Sequence, residues 1–241
     1  MTPTEASTID LNDAALAATS ANEFAPALPL PRSFFAISFS FAFLFVVWTW
    51  FVRPWTQTQP EFDLAVAEHW SGWSGAHPAM LDWMIYFTDL GGIAAMTLLA
   101  IMGLIWQTAL GNRKLALAWL GITILGALIN QGVKEYFGRP RPPEAMRETV
   151  VHERNASYPS GHTMASTIGY GLVGYALLLP MRRRTRRIFT VLVLTCLVLA
   201  IGFSRAYLRA HWLSDVVGGW MLGSAWLFLC IGRLEYRRRA V

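Results

Sequence analysis

SRAYLRAHWLSDVVGGWMLGSAWLFLCI, Ser204 to Ile231, joins two opposite kinds of sequence. Its first part carries a cation at Arg205, an imidazole at His211 and a carboxylate at Asp215; the part after Asp215 carries no charge. If a helix runs from His211 onward, His211 and Asp215 stand at i and i+4 on one face, within reach of each other. A carboxylate on one ring nitrogen fixes the tautomer and leaves the other nitrogen free to attack. The reactive group then sits at the mouth of a membrane helix, and the rest of the chain is read outward from that point.

Composition agrees with a membrane chain. Of 241 residues 54% are hydrophobic and only 15% charged, and the apolar residues come in long runs. The net charge of +5 is unevenly spread, with RRRTRR at 182–187 and RRR at 237–239 each beside a hydrophobic run. Such clusters suggest nucleic acid in a soluble protein, but beside spans they set membrane orientation, so no nucleic-acid partner is expected. Cys196 and Cys230 lie inside apolar runs and read as packed thiols.

Residues 1–31 hold four acidic residues and no Lys or Arg, and read as a disordered cytoplasmic tail ahead of a membrane domain at 32–241. Six apolar runs follow, Phe34–Val52, Leu90–Leu110, Leu115–Val133, His162–Leu179, Ile188–Phe203 and Val216–Ile231, against the need for about 20 residues per span. The last two are short, and their polar flanks are expected to continue the helices. Residues 53–87 interleave tryptophans with acids, as in an amphipathic segment lying at the interface. The expected fold is therefore all-α, a polytopic bundle of six transmembrane helices. Six spans place both termini on one side and divide the Lys and Arg residues 12 to 8, with 182–187 in the larger, cytoplasmic set.

Three polar stretches then share the outer face. Lys134, Arg141 and Pro142 form K-x6-RP, in which Lys is a point charge and Arg a fork for phosphate oxygens. Pro159-Ser160-Gly161-His162 opens the fourth span, where a helix N-terminus favours an anion and Gly161 lets it approach. Ser204, Arg205, His211 and Asp215 complete SR-x5-H-x3-D. Singly, each has a plain structural reading: a snorkelling lysine, a capped helix, a helix-end ion pair. His69, His77 and His152 have no defensible partner spacing, and Asp82 and Asp89 read as structural.

Together, in this order and on one face, the three stretches resemble the type 2 phosphatidic acid phosphatase family of integral membrane lipid phosphatases. Its phosphate site is shared with vanadium haloperoxidases and bacterial acid phosphatases. The resemblance covers about residues 34–231, no motif position departs from it, and Tyr158 stands where an aromatic often precedes PSGH. It implies that His211 attacks phosphorus to give a phosphohistidine, that Asp215 orients its ring, and that His162 protonates the leaving oxygen. Lys134, Arg141, Ser160, Gly161 and Arg205 would hold the phosphate. Three cations and a helix N-terminus can stabilise phosphoryl transfer by themselves, so neither metal nor cofactor is expected.

The implied substrate is a membrane lipid phosphate or diphosphate met at the outer interface. Candidates are undecaprenyl diphosphate, which leads, phosphatidic acid, phosphatidylglycerophosphate and the phosphates of lipid A. The setting is a bacterial plasma membrane, and the oligomeric state is left open. The alternatives are a lipid phosphotransferase using the same intermediate, a vanadate-holding haloperoxidase, and a transporter or scaffold without catalysis.

Overall fold

A computed structural model supplies the structure and describes residues 28–54, 56, 58–75 and 77–240. Most of the tail expected at 1–31 lies outside these residues. Regular structure among them is helical throughout: α1 (Pro31–Val52), α2 (Glu61–Ser74), α3 (Pro78–Leu90), α4 (Ile93–Ala109), α5 (Arg113–Phe137), a 3-10 turn (Glu144–Met146), α6 (Gly161–Leu178), α7 (Arg184–Tyr207) and α8 (Leu213–Arg239).

The helix ends follow local chemistry. Proline starts α1 and α3, where its preset φ helps and its missing N–H costs nothing. Gly138 ends α5 in the left-handed conformation at φ 59°, its N–H bonded to Lys134 O at 2.9 Å. Residues 53–87 form two helices instead of one interfacial segment, because the chain breaks at Gly75 and restarts at Pro78.

α1, α5, α7 and α8 are each long and apolar enough to cross a membrane. α3 and α4 reach that length only together, as a pair bent by 44°. The bend falls at Gly91, where a Cβ would strike the Ile201 side chain. Thus the chain is an all-helical membrane protein with four apolar crossings, or five with the bent pair. The fourth expected span, His162–Leu179, coincides with α6, which is not among these crossings. α6 packs against α4, α5, α7 and α8 and buries Thr163, Ser166 and Thr167, so its side chains answer to other helices more than to lipid. As expected, the polar flanks extend the last two runs, α7 from Arg184 through Arg205 and α8 as far as Arg239.

The core joins α5, α6 and α8 through Trp119, Met164, Ile168, Leu172, Leu227 and Ile231. α6 and α8 approach closely at small residues. A Cβ on Gly219 would lie 2.8 Å from Ser160 O, and one on Gly223 3.0 Å from Thr167 Cβ. A second cluster packs Met84, Tyr207 and Leu208 beneath Trp70 and Trp73, pinning α2 and α3 to the end of α7. Cys230 is half-buried, whereas Cys196 faces outward and is not the packed thiol expected. The alternating helices gather the C-terminal ends of α5 and α7 and the N-terminal ends of α6 and α8 at one end of the bundle. The arginines at 182–187 and 237–239 mark the other end.

Candidate active site

Ser160 caps α6. Its hydroxyl accepts from Thr163 N–H at 3.5 Å and from Thr163 Oγ1 at 2.9 Å, and its N–H donates to Asp215 O at 3.0 Å. That last bond fastens the start of α6 to the start of α8. Gly161 lies against Asn130 and Lys134, so a Cβ there would crowd Asn130 Oδ1 at 3.3 Å. The first-turn N–H groups of α6 have no acceptor within the helix and suit an anion.

α8 starts at Leu213 and not at His211, so the expected helical i, i+4 contact does not arise as such. The pair meets through capping instead. Asp215 Oδ2 accepts Trp212 N–H at 3.0 Å, and the turn this fixes brings His211 Nδ1 to the same oxygen at 3.3 Å. Ser157 Oγ bonds to Asp215 Oδ2 as well. His211 Nε2 lies 3.2 Å from Arg141 Nη1 and reaches the cavity described below. Burial, aided by the positive charges of Arg141, Lys134 and Arg205, holds the His211 imidazole well below its ordinary pKa of 6.5. It is therefore neutral at pH 7, as a nucleophile must be.

The cations are engaged but not saturated. Lys134 lies within α5, in its last turn, and donates to Ala156 O at 2.6 Å and Ser157 O at 3.2 Å. Arg141 is fixed by Asn155 O at 2.8 Å, Asn155 Oδ1 at 2.6 Å and Ala210 O at 2.7 Å. Burial lowers its pKa to about 10, so it stays charged. Arg205 donates to Thr88 Oγ1 at 2.7 Å and pairs with Glu153, while its buried Nε has no acceptor among the described residues. Such an orphaned donor fits an absent anion.

Lys134, Arg141, Gly161, His162 and His211 line one cavity of about 490 Å³. Ser160, Arg205 and Asp215 stand behind that wall. The cavity continues between α4, α5 and α6 along Met96, Ala100, Trp119, Ile124 and Ile168. The eight candidate catalytic and phosphate-binding residues are thus at or directly behind one site. His69, His77 and His152 are outside it, His77 stacking on Trp73 at 3.8 Å.

Four buried or half-buried groups escaped the sequence reading. Glu153 brings a carboxylate to Arg205 and His162 from the long loop, although His162 has no acid within a turn in sequence. Burial works to raise the Glu153 pKa, but Arg205 first, then a backbone hydrogen bond and Arg141, hold it below its ordinary value. Ser157 bonds Asp215, and Arg139 bridges Asp215 at 2.5 Å and Asp63 at 2.9 Å. Arg139 lies two residues before Arg141 in GRPRPP, and spacing does not tell which arginine faces the phosphate. Asp63, in the first turn of α2, is in sequence only one of the acids interleaved with tryptophans in the expected interfacial segment.

Comparison with known proteins gives the same picture. Residues 115–239 match the PAP2 superfamily, a span that includes α5, the loop and all three motif stretches. Phosphatidylglycerophosphatase B of Bacillus subtilis is 33% identical over 169 residues, covering 67% of this chain and 79% of the relative. Undecaprenyl-diphosphatase BcrC of the same organism is 31% identical over 166 residues, covering 67% and 76%. The crystal structure of a transmembrane PAP2-type phosphatidylglycerolphosphate phosphatase from Bacillus subtilis superposes with a TM-score of 0.70. It is 25% identical, across 83% of this chain and 96% of that one. Family match, relatives and fold thus agree with one another, and the chain belongs to the PAP2 superfamily.

Proposed function

We propose that the protein hydrolyses the phosphate or diphosphate of a membrane lipid through a phosphohistidine on His211. The observation that carries this reading is the shape of the cavity, in which a cationic, histidine-lined head opens into apolar walls between α4, α5 and α6. A lipid phosphate has those two parts in that order. The names of the phosphatidylglycerophosphatase and undecaprenyl-diphosphatase relatives support the reaction class. Undecaprenyl diphosphate is the first substrate to test, and phosphatidylglycerophosphate the second.

In the first step the His211 Nε2 lone pair forms a bond to phosphorus as the bond to the leaving oxygen breaks. Asp215 holds Nδ1–H and balances the imidazolium charge. Lys134, Arg141, Arg205, the Ser160 hydroxyl and the Gly161 N–H neutralise the equatorial oxygens, where phosphoryl transfer concentrates charge. His162 protonates the leaving oxygen, then takes a proton from the water that attacks the phosphohistidine and releases phosphate. The set of cations suffices without a metal.

The proposed setting is a bundle of six spans with both termini cytoplasmic and the site at the outer interface of a bacterial plasma membrane. It is supported by the arginine clusters at the opposite end of the bundle. The deciding experiment measures phosphate release by the purified full-length protein in detergent, on the candidate lipids, with EDTA and with vanadate. Release that survives EDTA, is inhibited by vanadate and is lost in His211→Ala supports the proposal. Activity that requires added magnesium, persists without His211 or appears only with an acceptor lipid refutes it.

A further inference from the structure

We infer that Arg139 and Asp63 are positioning residues for the reaction at His211: Arg139 holds Asp215 as an anion with one oxygen turned to the imidazole, and Asp63, arriving from α2, holds Arg139. The inference rests on the reading of His211 as the attacking group.

The two oxygens of Asp215 do different things. Oδ2 faces the reaction, taking His211 Nδ1, Trp212 N–H and the Ser157 hydroxyl. Oδ1 faces away and takes Arg139 Nη1 at 2.5 Å. Asp215 and Arg139 are both essentially out of water. A carboxylate in that position stays ionised only with a cation and several donors around it. Lys134 is turned to backbone carbonyls, Arg141 to Asn155 and Ala210, and Arg205 to Thr88 and Glu153. Among the described residues, Arg139 is the Lys or Arg paired with Asp215.

Arg139 is itself held at every nitrogen. Gln59 Oε1 accepts from Nε at 3.0 Å and from Nη2 at 2.7 Å, Asp63 Oδ2 from Nη2 at 2.9 Å, and Ser214 Oγ pairs with Nη1 at 2.7 Å. Asp63 is also buried, and its Oδ1 accepts Ser214 N–H at 2.9 Å, which anchors the start of α8 to α2. Neither Arg139 nor Asp63 lines the cavity, so neither is placed to touch the phosphate.

The chemical consequence concerns which nitrogen carries the proton. An ionised Asp215 accepts from Nδ1–H and leaves the Nε2 lone pair for phosphorus. Without Arg139, two buried carboxylates face each other and one takes up a proton. A protonated Asp215 donates to Nδ1, the proton of the ring moves to Nε2, and attack is blocked, as when a triad aspartate becomes an amide. Activity then returns only as rising pH ionises the carboxyl. The other charged or titratable groups facing the His211–Asp215 pair are Lys134 from α5, Arg141 from the loop, His162 from α6 and Arg205 from α7, with Glu153 of the loop lining the same cavity. All of these remain in the variants below, so a displaced profile reports on Asp215.

The test measures kcat and KM for phosphate release from dioctanoyl phosphatidic acid across acid to alkaline pH, with full-length protein in detergent. Arg139→Gln should lose roughly 10- to 100-fold in kcat at neutral pH with little change in KM, and its acid limb should move to higher pH. Arg139→Lys should fall between it and wild type. Arg139→Gln with Asp63→Asn removes the second carboxylate, so its limb should move back toward wild type and the protein should fold better than the single variant. Nitrogen-15 NMR of the wild-type histidines requires no variant to fold and should show His211 as the Nδ1–H tautomer. A wild-type pH profile in every variant that folds, a raised KM with kcat intact, or an Nε2–H tautomer overturns the inference. Wild-type protein that releases no phosphate overturns instead the reading of the site.

Discussion

Glu153 occupies a place where the substrate's charge is wanted. Its carboxylate pairs with Arg205, whose side chain is 3% exposed, while its own side chain is 33% exposed. A hydrogen bond to a charged group contributes about 1.5–3 kcal/mol net, and partial exposure of one partner discounts this to about 1 kcal/mol. The arriving phosphate must displace that contact before Arg205 can offer it Nη2 as well as the unpartnered Nε. Glu153→Gln keeps shape and a neutral hydrogen bond but removes the competing charge. It should therefore lower KM about fivefold, since 1.4 kcal/mol corresponds to a factor of ten. Steady-state phosphate release at fixed ionic strength gives KM and kcat separately, and the vanadate inhibition constant should fall in parallel. The reasoning fails if KM stays constant or rises while kcat collapses. That result would make Glu153 a partner of His162 in proton transfer and not a competitor for Arg205.

Three further outcomes follow from the same geometry. His211→Ala should abolish phosphoenzyme and turnover, whereas His162→Ala should slow lipid substrates about 10²–10⁴-fold and spare an activated aryl phosphate, whose leaving oxygen needs little protonation; phosphate trapped on His162 would reverse these roles. Folded His211 stays neutral where the unfolded chain takes up a proton, so its contribution to stability is fully present above pH 6.5 and lost as pH falls below it. Thermal melts in detergent should show that slope in wild type and lose part of it in His211→Ala. In a protein without its native cysteines, Arg184→Cys should label only from the cytoplasm and a cysteine in the 144–156 loop only from outside, and reversed labelling would invert the proposed orientation.

Four of the six expected apolar runs were legible because lipid imposes a simple demand on them, about 20 consecutive apolar residues, and a fifth reaches that length only joined to the helix before it. The gathering of the motif residues was legible because their three stretches stand at the same end of successive helices. What stayed hidden was decided by contacts between distant segments. Arg139 and Arg141 look equivalent in GRPRPP, and only the folded loop turns one toward Asp63 and Asp215 and the other toward His211. The i, i+4 spacing of His211 and Asp215 pointed to the right pair for a partly wrong reason, since a capped turn and not a helical face joins them. α6 carries small polar residues because helices surround it, and hydropathy counts that burial as polarity.

The close seam between α6 and α8 has an evolutionary consequence. These two helices are joined at one end by Ser160 N–H to Asp215 O and at the other by Tyr175 to Glu235, with Gly219 and Gly223 between. They carry His162, Ser160, Gly161 and Asp215, whereas much of the apolar wall belongs to α4 and α5. Under the proposed function the charged head and the apolar wall therefore occupy different positions along the bundle, even where α5 and α6 contribute to both. Mutations along α4 or the apolar length of α5 would then retune the accepted tail while the residues gathered at the end of the bundle go on performing one chemistry. A scaffold divided in this way can supply descendants that differ in the lipid they serve yet share every reacting atom.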